Sequence, residues 1–275
     1  MEGIGDFAMP KRTETTSIAL DILDSSLAKY GNSLDKAWLG IYETLLWYIP
    51  VGGGRSLPHI IDANNLRPSA RGKGSKKWVQ RANKFNDYLA KEMDISPDEV
   101  SEHVDRLMNH KRFIGMQRQN PLGIAFIGII KHLIERFGDH SLRSEMEADA
   151  ASIFPEHPLY GRTSKPRIDL IFERGNKIVS ISSLKWSIRH DRLNDVTGEC
   201  ETYKKACYQL YGSTPKFFSI TNEFSPSRLQ KLIEHPCIDS VVHIHKEAVA
   251  NICELNGRLV ELIDLVDFVK SSFEW

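Results

Sequence analysis

The sequence lacks an excess of either charge: 36 lysine and arginine residues face 36 aspartate and glutamate residues, for a formal net charge of +0. A balanced charge excludes a global electrostatic field that would attract the whole protein to nucleic acid or to an acidic surface. Any affinity for a polyanion must therefore come from local clusters of basic residues.

Cysteine is also scarce, and no two cysteines form a CxxC pair, which argues against a zinc ribbon or a disulfide-rich scaffold. The four cysteines are Cys200, Cys207, Cys237 and Cys253. We expect them to be reduced thiols in a cytoplasmic protein.

Long apolar runs are missing as well. The longest, at 122–130 and 238–244, are far too short to span a bilayer. The sequence does not open with a basic region followed by an apolar stretch, so no signal peptide is expected. These features predict a soluble, intracellular protein with no membrane partner.

The pattern of apolar residues divides the chain into two regions. Helical spacing over 37–48 and 75–91 predicts a helical N-terminal region at 1–110, which we expect to serve DNA contacts, dimerisation or both. A helix at 121–137 is apolar on most faces and should be buried. It belongs to the second predicted region, a catalytic and recognition core at 111–275.

The second region reads as an α/β domain. The β-prone runs 168–172 and 178–184 are joined around Gly175-Asn176, a dipeptide suited to a tight hairpin turn. A helix over 193–211 follows. The strand, helix and strand from 216 to 244 then suggest a crossover onto a parallel edge, so the predicted sheet is mixed.

The hairpin carries the candidate chemistry. Side chains alternate along a strand, so Asp169 on the first strand and Lys185 at the end of the second can converge. Magnesium is commonly bound by one or two carboxylates with water and substrate phosphate. Asp169 and Glu199 would supply the carboxylates, the main chain near Leu184 a further ligand, and Lys185 would orient and help deprotonate the attacking water. The set predicts Mg²⁺-dependent phosphodiester hydrolysis.

A base-reading set follows the lysine directly. Arginine fits guanine bidentately in the major groove, and aspartate accepts from the cytosine amino group. Arg189, Asp191 and Arg192, at the start of a predicted helix, are therefore predicted to address two consecutive G·C pairs of double-stranded DNA. Symmetric reading and cutting of both strands would require at least a homodimer.

These residues together resemble a known family. Asp169 with Ser183-Leu184-Lys185 and the later Glu199 is similar to the PD-(D/E)xK nuclease motif in which the second acid has moved onto the following helix. The stretch 181–192 resembles the catalytic and recognition segment of NgoMIV-like type II restriction endonucleases, the CCGG family. The resemblance implies a mixed five-stranded restriction-endonuclease-like sheet flanked by helices.

The resemblance also implies an activity. It predicts a type II restriction endonuclease that cuts a palindrome with a CCGG core before the first cytosine and leaves 5′ overhangs. The spaced form Arg189-x-Asp191-Arg192 favours CCGG over a CC-N-GG site. Ser183 would either take the place where related nucleases carry an acid or be simply a small strand residue. Homodimers or homotetramers and a separate companion DNA methyltransferase are expected of such enzymes.

One position departs from the family. Its members commonly carry an acid in the context Gly-x-Ala-Phe-Glu, whereas this chain has Ile127 after Gly123-Ile124-Ala125-Phe126. A non-catalytic, sequence-specific DNA-binding protein of the same fold therefore stays an alternative. A structure-specific repair nuclease is a third, although such an enzyme has little use for base readout by Arg189 and Arg192.

Other polar residues have two open interpretations each. A basic cluster, led by Arg71 and Lys73, would either contact DNA phosphates or be a solvated loop and helix start. The remaining members of that cluster are Arg67, Lys76, Lys77 and Arg81. His243 and His245 are better interpreted as strand-end packing or polar-network residues than as metal ligands. Asp195 and Glu201, which flank Glu199, are interpreted as a polar helix face.

Overall fold

The computed structural model describes residues 11–52, 54–60, 73–159, 165–189, 192–253 and 261–275, without the side chains of 73–75 and 119. The helices of these ranges are α1 (Arg12–Lys29), α2 (Ala37–Leu45), α3 (Lys73–Met93), α4 (Val100–His103), α5 (Arg106–Asn109), α6 (Gln119–Phe137), α7 (Ala150–Ile153), α8 (Leu193–Tyr211), α9 (Pro226–Ile233), α10 (Lys246–Ile252) and α11 (Leu265–Ser271). The strands are β1 (Tyr48–Gly52), β2 (Arg55–Pro58), β3 (Arg143–Asp149), β4 (Arg167–Arg174), β5 (Lys177–Lys185), β6 (Lys216–Thr221), β7 (Ser240–His243) and β8 (Ile263–Asp264).

A mixed sheet forms the centre of the molecule. Its order is β3-β4-β5-β6-β7-β8, antiparallel from β3 to β5 and parallel from β5 to β8. The α/β class with a helix-flanked mixed sheet is thus confirmed, with six strands in the described residues where five were expected. The unforeseen β3 is a charged edge strand, and β8 has two residues, so neither carries a strong apolar pattern.

The β4–β5 hairpin follows its predicted turn. Arg174 pairs with Lys177, which leaves Gly175 and Asn176 as the two-residue loop. Gly175 has φ +63°, a left-handed conformation that glycine adopts without a steric penalty. This tight turn fixes β4 against β5 and so determines which side chains meet at the far end of the hairpin.

The N-terminal region contains a hairpin as well as helices. β1 and β2 pair antiparallel, with Pro50 opposite Ser56. The helix predicted over 37–48 ends earlier, at Leu45. Helix α1 packs on α6, where Gly128 allows the close approach: a Cβ there would lie 2.5 Å from Cγ2 of Thr16.

A buried carboxylate joins three of the N-terminal helices. Glu43 of α2 accepts hydrogen bonds from Ser26 Oγ (2.6 Å), Lys29 Nζ (2.9 Å) and Tyr30 Oη (2.5 Å), and Arg106 of α5 lies 3.4 Å away. These bonds replace the water that Glu43 loses on burial. One continuous apolar core extends from these helices into the sheet.

Helix α6 is the buried apolar helix that the sequence predicted. Phe126, Ile127 and Ile130 are all at most 5% exposed. Within the described ranges, no helix combines the length and apolarity that a membrane crossing needs.

The expectation of four reduced thiols is wrong for one pair. Cys200 of α8 and Cys237, which precedes β7, form a disulfide with their Cα atoms 6.0 Å apart. The two cysteines are 37 residues apart in sequence and meet because α8 and the segment after α9 pack together. The spacing of the cysteines alone therefore does not predict the disulfide. Cys207 and Cys253 are buried free thiols.

Candidate active site

The end of the β4–β5 hairpin brings a carboxylate and an ammonium together. Leu170 pairs with Ser182 across the hairpin, which places Asp169 beside the last residues of β5. Asp169 Oδ2 accepts hydrogen bonds from the backbone N–H of Leu184 at 2.7 Å and from Lys185 Nζ at 2.6 Å. The side chains of Asp169 and Lys185 are only 19% and 25% exposed, so this ion pair is partly shielded from solvent.

The second predicted acid reaches the same place from α8. Ser183 Oγ donates a hydrogen bond to Glu199 Oε2 at 2.8 Å. Burial raises the pKa of Glu199, and the carboxylates of Asp169 and Asp195 add to the rise against the opposing effect of Lys185. Burial alone would lower the pKa of Lys185, but the charges of Asp169 and Glu199 outweigh it and raise that pKa. The two acids and the lysine therefore form one electrostatic unit.

Asp169 and Glu199 offer carboxylate oxygens, the donors that a hard divalent cation such as Mg²⁺ would take. Among the described residues, no group of three histidines, cysteines or acids is arranged to hold a metal. Magnesium needs fewer protein ligands because it keeps several waters. Asp169 Oδ1 and Glu199 Oε1 accept no hydrogen bond from any described residue, so each acid has an oxygen available for a cation.

Leu184 contributes through its main chain. Its N–H orients Asp169, while its side chain is buried at 5% exposure. Its predicted role as a carbonyl ligand stays a prediction.

The predicted base-reading segment leaves β5 directly after Lys185. Trp186 is buried and has a packing role, with its ring edge-on to Tyr42 (6.1 Å) and Phe126 (5.5 Å). The N–H of Arg192 donates to the carbonyl of Arg189 at 2.9 Å, closing a turn just before α8.

The two arginines of this turn lie at the surface. Arg189 is exposed, and the Arg192 side chain is 45% exposed with Nη1 3.2 Å from Asp195 Oδ2. Asp195 is buried and so is not part of a solvated helix face, whereas Glu201 is, with a side chain 68% exposed. Asp191 lies outside the described residues.

A glutamate that sequence reasoning missed supports this segment. Glu223, after β6, has no exposed surface and accepts hydrogen bonds from the N–H groups of Ile188 (2.9 Å) and Ser225 (2.8 Å). Arg228 Nη1 lies 3.3 Å from it. Burial raises the pKa of Glu223, although Arg228 and the two N–H donors act in the opposite direction.

The position of Glu223 follows from strand register. Lys185 of β5 pairs with Thr221 of β6 in parallel, so the residues after each strand run side by side. The N–H of Asn222 donates to the carbonyl of Trp186 at 3.0 Å, which continues this alignment. Because a parallel register depends on tertiary packing, no local signal in the sequence identifies Glu223.

Tyr203 is a second residue that sequence reasoning missed. It stands four residues after Glu199 on α8, is 1% exposed, and stacks on Phe154 with ring centroids 5.7 Å apart. Burial raises its pKa, and the negative charges of Glu199 and Asp169 add to the rise. The i, i+4 spacing from Glu199 was the available signal.

Ile127 and Glu135 do not extend the acidic site. Ile127 is a buried core residue. Glu135, an acid of the same helix, accepts hydrogen bonds from Lys131 Nζ at 2.5 Å and Ser144 Oγ at 2.7 Å.

The two histidines at the end of β7 belong to a polar network, as the sequence favoured. His243 Nδ1 accepts from the N–H of His245 at 3.0 Å. His245 stacks on Trp38 at 3.8 Å and its Nε2 is 2.8 Å from Tyr88 Oη. Burial lowers the pKa of His243 to about 3 and that of His245 to about 4, so both rings are neutral at pH 7.

Only part of the basic cluster lies within the described residues. Arg67 and Arg71 lie outside the described residues, and Lys73 begins α3 without a described side chain. Lys76 and Lys77 are exposed on the first turns of α3. Their exposure is compatible with both interpretations, phosphate contact and a solvated helix start.

Comparison with known proteins finds similarity to solved structures. No protein-family model matches the sequence, and no curated protein matches it. A solved structure of the restriction endonuclease PspGI with substrate DNA is similar, with 11% sequence identity and a TM-score of 0.42, over 96% of this chain and 95% of that chain. A match at this level transfers neither residues nor activity to this chain.

Proposed function

We propose that this protein is a magnesium-dependent, sequence-specific endonuclease for double-stranded DNA. The observation that carries the proposal is the convergence of Asp169, Lys185 and Glu199 at the end of β5, with an arginine turn following on the same chain segment. Two carboxylates beside an ammonium suit phosphodiester hydrolysis, and exposed arginines at the start of a helix suit base readout.

Each residue has a separate task in this proposal. Asp169 and Glu199 would hold Mg²⁺, which when bound supplies charge neutralisation for the phosphate and activation of a water. Lys185 would hold the attacking water in place, and Ser183 orients Glu199 through its hydroxyl. The N–H of Leu184 fixes Asp169.

The finer proposal follows the family resemblance. It is a type II restriction endonuclease that cuts a palindrome with a CCGG core and leaves 5′ overhangs. The enzyme would act as a homodimer or homotetramer in the cytoplasm, with a separate methyltransferase protecting the host DNA. Arg189, Asp191 and Arg192 would read the core, since arginine matches guanine and aspartate matches the cytosine amino group.

A second candidate is a sequence-specific DNA-binding protein that does not cut. It is favoured by Ile127, a buried aliphatic residue at the position where the resembling family carries an acid. Such a protein would keep the arginine turn and bind the same core.

The test is to incubate the protein with unmethylated, sequence-diverse DNA and Mg²⁺ and to sequence every end. Discrete 5′ overhangs at CCGG-centred palindromes are expected. Specific binding without products in Mg²⁺ or Mn²⁺ would favour the second candidate. Preferred cleavage at junctions or flaps would favour a repair nuclease.

Variants assign the cleavage to the proposed residues. Asp169→Asn, Lys185→Met and Glu199→Gln should each lower the cleavage rate by about 100-fold or more while metal-free binding persists. Glu201→Gln is the matched control, because Glu201 lies two residues after Glu199 with its side chain exposed. Full cleavage by the Asp169 or Lys185 variant would mean that the altered residue is not part of the active site.

A further inference from the structure

A small basic pocket lies between α3 and α10. Its lining consists of Lys77, Gln80, Arg81 and Lys84 of α3 with Ile252 of α10, and we call it the α3 basic pocket. The three cations stand at i, i+4 and i+7, which places them on one face of the helix. Gln80 adds an amide that can donate a hydrogen bond.

Within the described ranges, no acid pairs with the basic residues of this pocket. Among the described residues, no carboxylate lies within ion-pair distance of Lys77, Arg81 or Lys84. Other basic residues of the molecule behave differently: Lys29, Arg106 and Lys185, for example, each face a carboxylate. Three like charges on successive turns repel one another, and a bound anion would relieve that repulsion.

One of the three cations is held in place. The guanidinium of Arg81 lies over the ring of Trp78, 4.9 Å from its centroid, and its Nη1 is 3.5 Å from the carbonyl oxygen of Phe224. The ring of Phe224 packs against Phe85 of α3, with centroids 5.0 Å apart. Arg81 is therefore fixed on a packed surface, while Lys77 and Lys84 are exposed and can reach outward.

The pocket is linked to the arginine turn by consecutive contacts. Phe224, which accepts from Arg81, follows Glu223, and Glu223 binds the N–H of Ile188 next to Arg189. The pocket is thus connected through Phe224 and Glu223 to the proposed base-reading segment.

We propose that the α3 basic pocket binds a backbone phosphate of the DNA duplex flanking the base pairs that Arg189 and Arg192 read. The proposal rests on the proposed function. A phosphate contact of this kind positions the duplex without carrying sequence information. The pocket therefore contributes to the affinity for DNA and to the position of the duplex on the protein, while the arginine turn contributes sequence specificity.

The experiment measures DNA affinity against salt concentration, without metal, for the wild type and the Lys77→Gln/Lys84→Gln double variant. Losing one phosphate contact should reduce the slope of log K against log salt by about 0.9, so the double variant should have a slope smaller by about 0.9 for each bound subunit and bind about tenfold more weakly at low salt. The sequences of the ends it produces in Mg²⁺ should not change.

Two control variants define the comparison. Lys177→Gln removes an equally exposed lysine at the opposite end of β5 and should leave affinity and slope unchanged. Lys77→Arg/Lys84→Arg keeps the charge of the pocket and should keep the wild-type slope.

The outcomes separate this inference from the proposed function. Wild-type affinity and slope in the double variant, together with normal cleavage, would overturn the phosphate pocket and leave the nuclease intact. An altered set of cleavage sequences at unchanged affinity would also overturn it, because the pocket would then be reading bases. A wild-type protein that neither binds nor cuts DNA would overturn both.

Discussion

A buried carboxylate needs hydrogen-bond donors, and Glu223 takes them from two backbone segments and from Arg228. One of those segments is the start of the arginine turn. Glu223 touches no proposed substrate atom, so it is a positioning residue: it holds Ile188 and through it Arg189. The accuracy of base reading is therefore expected to depend on a side chain that never meets DNA.

Glu223→Gln tests that dependence. The amide removes the charge and leaves one N–H donor poorly paired, so the free energy of unfolding should fall by about 1–3 kcal/mol. Cleavage at the preferred site should slow while the share of cuts at other sequences rises, which sequencing of the ends measures. Glu234→Gln, which alters a glutamate bonded only to Gln230 through its side chain, is the control. An unchanged set of ends despite lower stability would reduce Glu223 to a structural role.

At the scale of elements, the disulfide joins α8 to the segment before β7. Cys200 is the neighbour of Glu199, so the cross-link anchors the helix that carries the second acid. Closing a loop across 37 residues removes conformational freedom from the unfolded chain, which in the chain-entropy description is worth about 3–4 kcal/mol.

Reduction of this disulfide should therefore lower the free energy of unfolding by up to about 3–4 kcal/mol. Denaturant unfolding of the wild type with and without reductant measures the change. Cys237→Ser should match the reduced wild type and no longer respond to reductant, while Cys253→Ser, which alters a free thiol, should respond like the wild type. Identical unfolding curves for oxidised and reduced wild type would contradict the prediction.

The sequence predicted what local geometry determines. Asp169 and Lys185 meet because a two-residue turn and strand alternation fix one hairpin, and β4, β5, α8 and β6 follow their apolar patterns closely. It did not predict contacts that depend on how distant elements pack. Glu223 contacts Ile188 because of the parallel register of β5 and β6. Glu43 binds hydrogen-bond donors on α1 and α5.

For the whole molecule, stability should depend on pH through three buried histidines. His59, His243 and His245 are each at most 7% exposed, and burial lowers their pKa values to about 3, 3 and 4. In the unfolded chain they titrate near pH ~6.5. Because the folded pKa values are depressed, the unfolded state binds more protons below that pH, and stability falls as the pH drops from about 7 toward about 4.

His59→Phe isolates one of these contributions. Burial raises the pKa values of the carboxyls Glu199 and Glu223, which favours the folded state as the pH falls. The measured dependence of stability on pH therefore combines this stabilising effect with the destabilising effect of the histidines. A phenylalanine can keep the stack on Trp47, where the ring centroids are 3.7 Å apart, and removes the titrating nitrogen. Between pH 7 and pH 5, the free energy of unfolding of the variant should fall by about 1–2 kcal/mol less than that of the wild type.

Denaturant unfolding at pH 7, 6 and 5 checks the expectation. The control is His140→Gln, which removes an exposed imidazole in place of a buried one. A wild-type pH dependence in His59→Phe would mean that His59 is not held neutral by burial.

The direct passage from Lys185 to Arg189 has an evolutionary consequence. Arg189, the first residue proposed to read bases, follows Lys185, the lysine proposed for cleavage, after a short stretch of chain. Helix α8 then brings Glu199 to the same place. In the proposed endonuclease, cleavage and target choice would therefore not be interchangeable modules, and a new target could not be acquired by exchanging one domain for another. Descendants of this protein would have to change their target by substitutions within the turn itself, under the constraint that each intermediate still cuts.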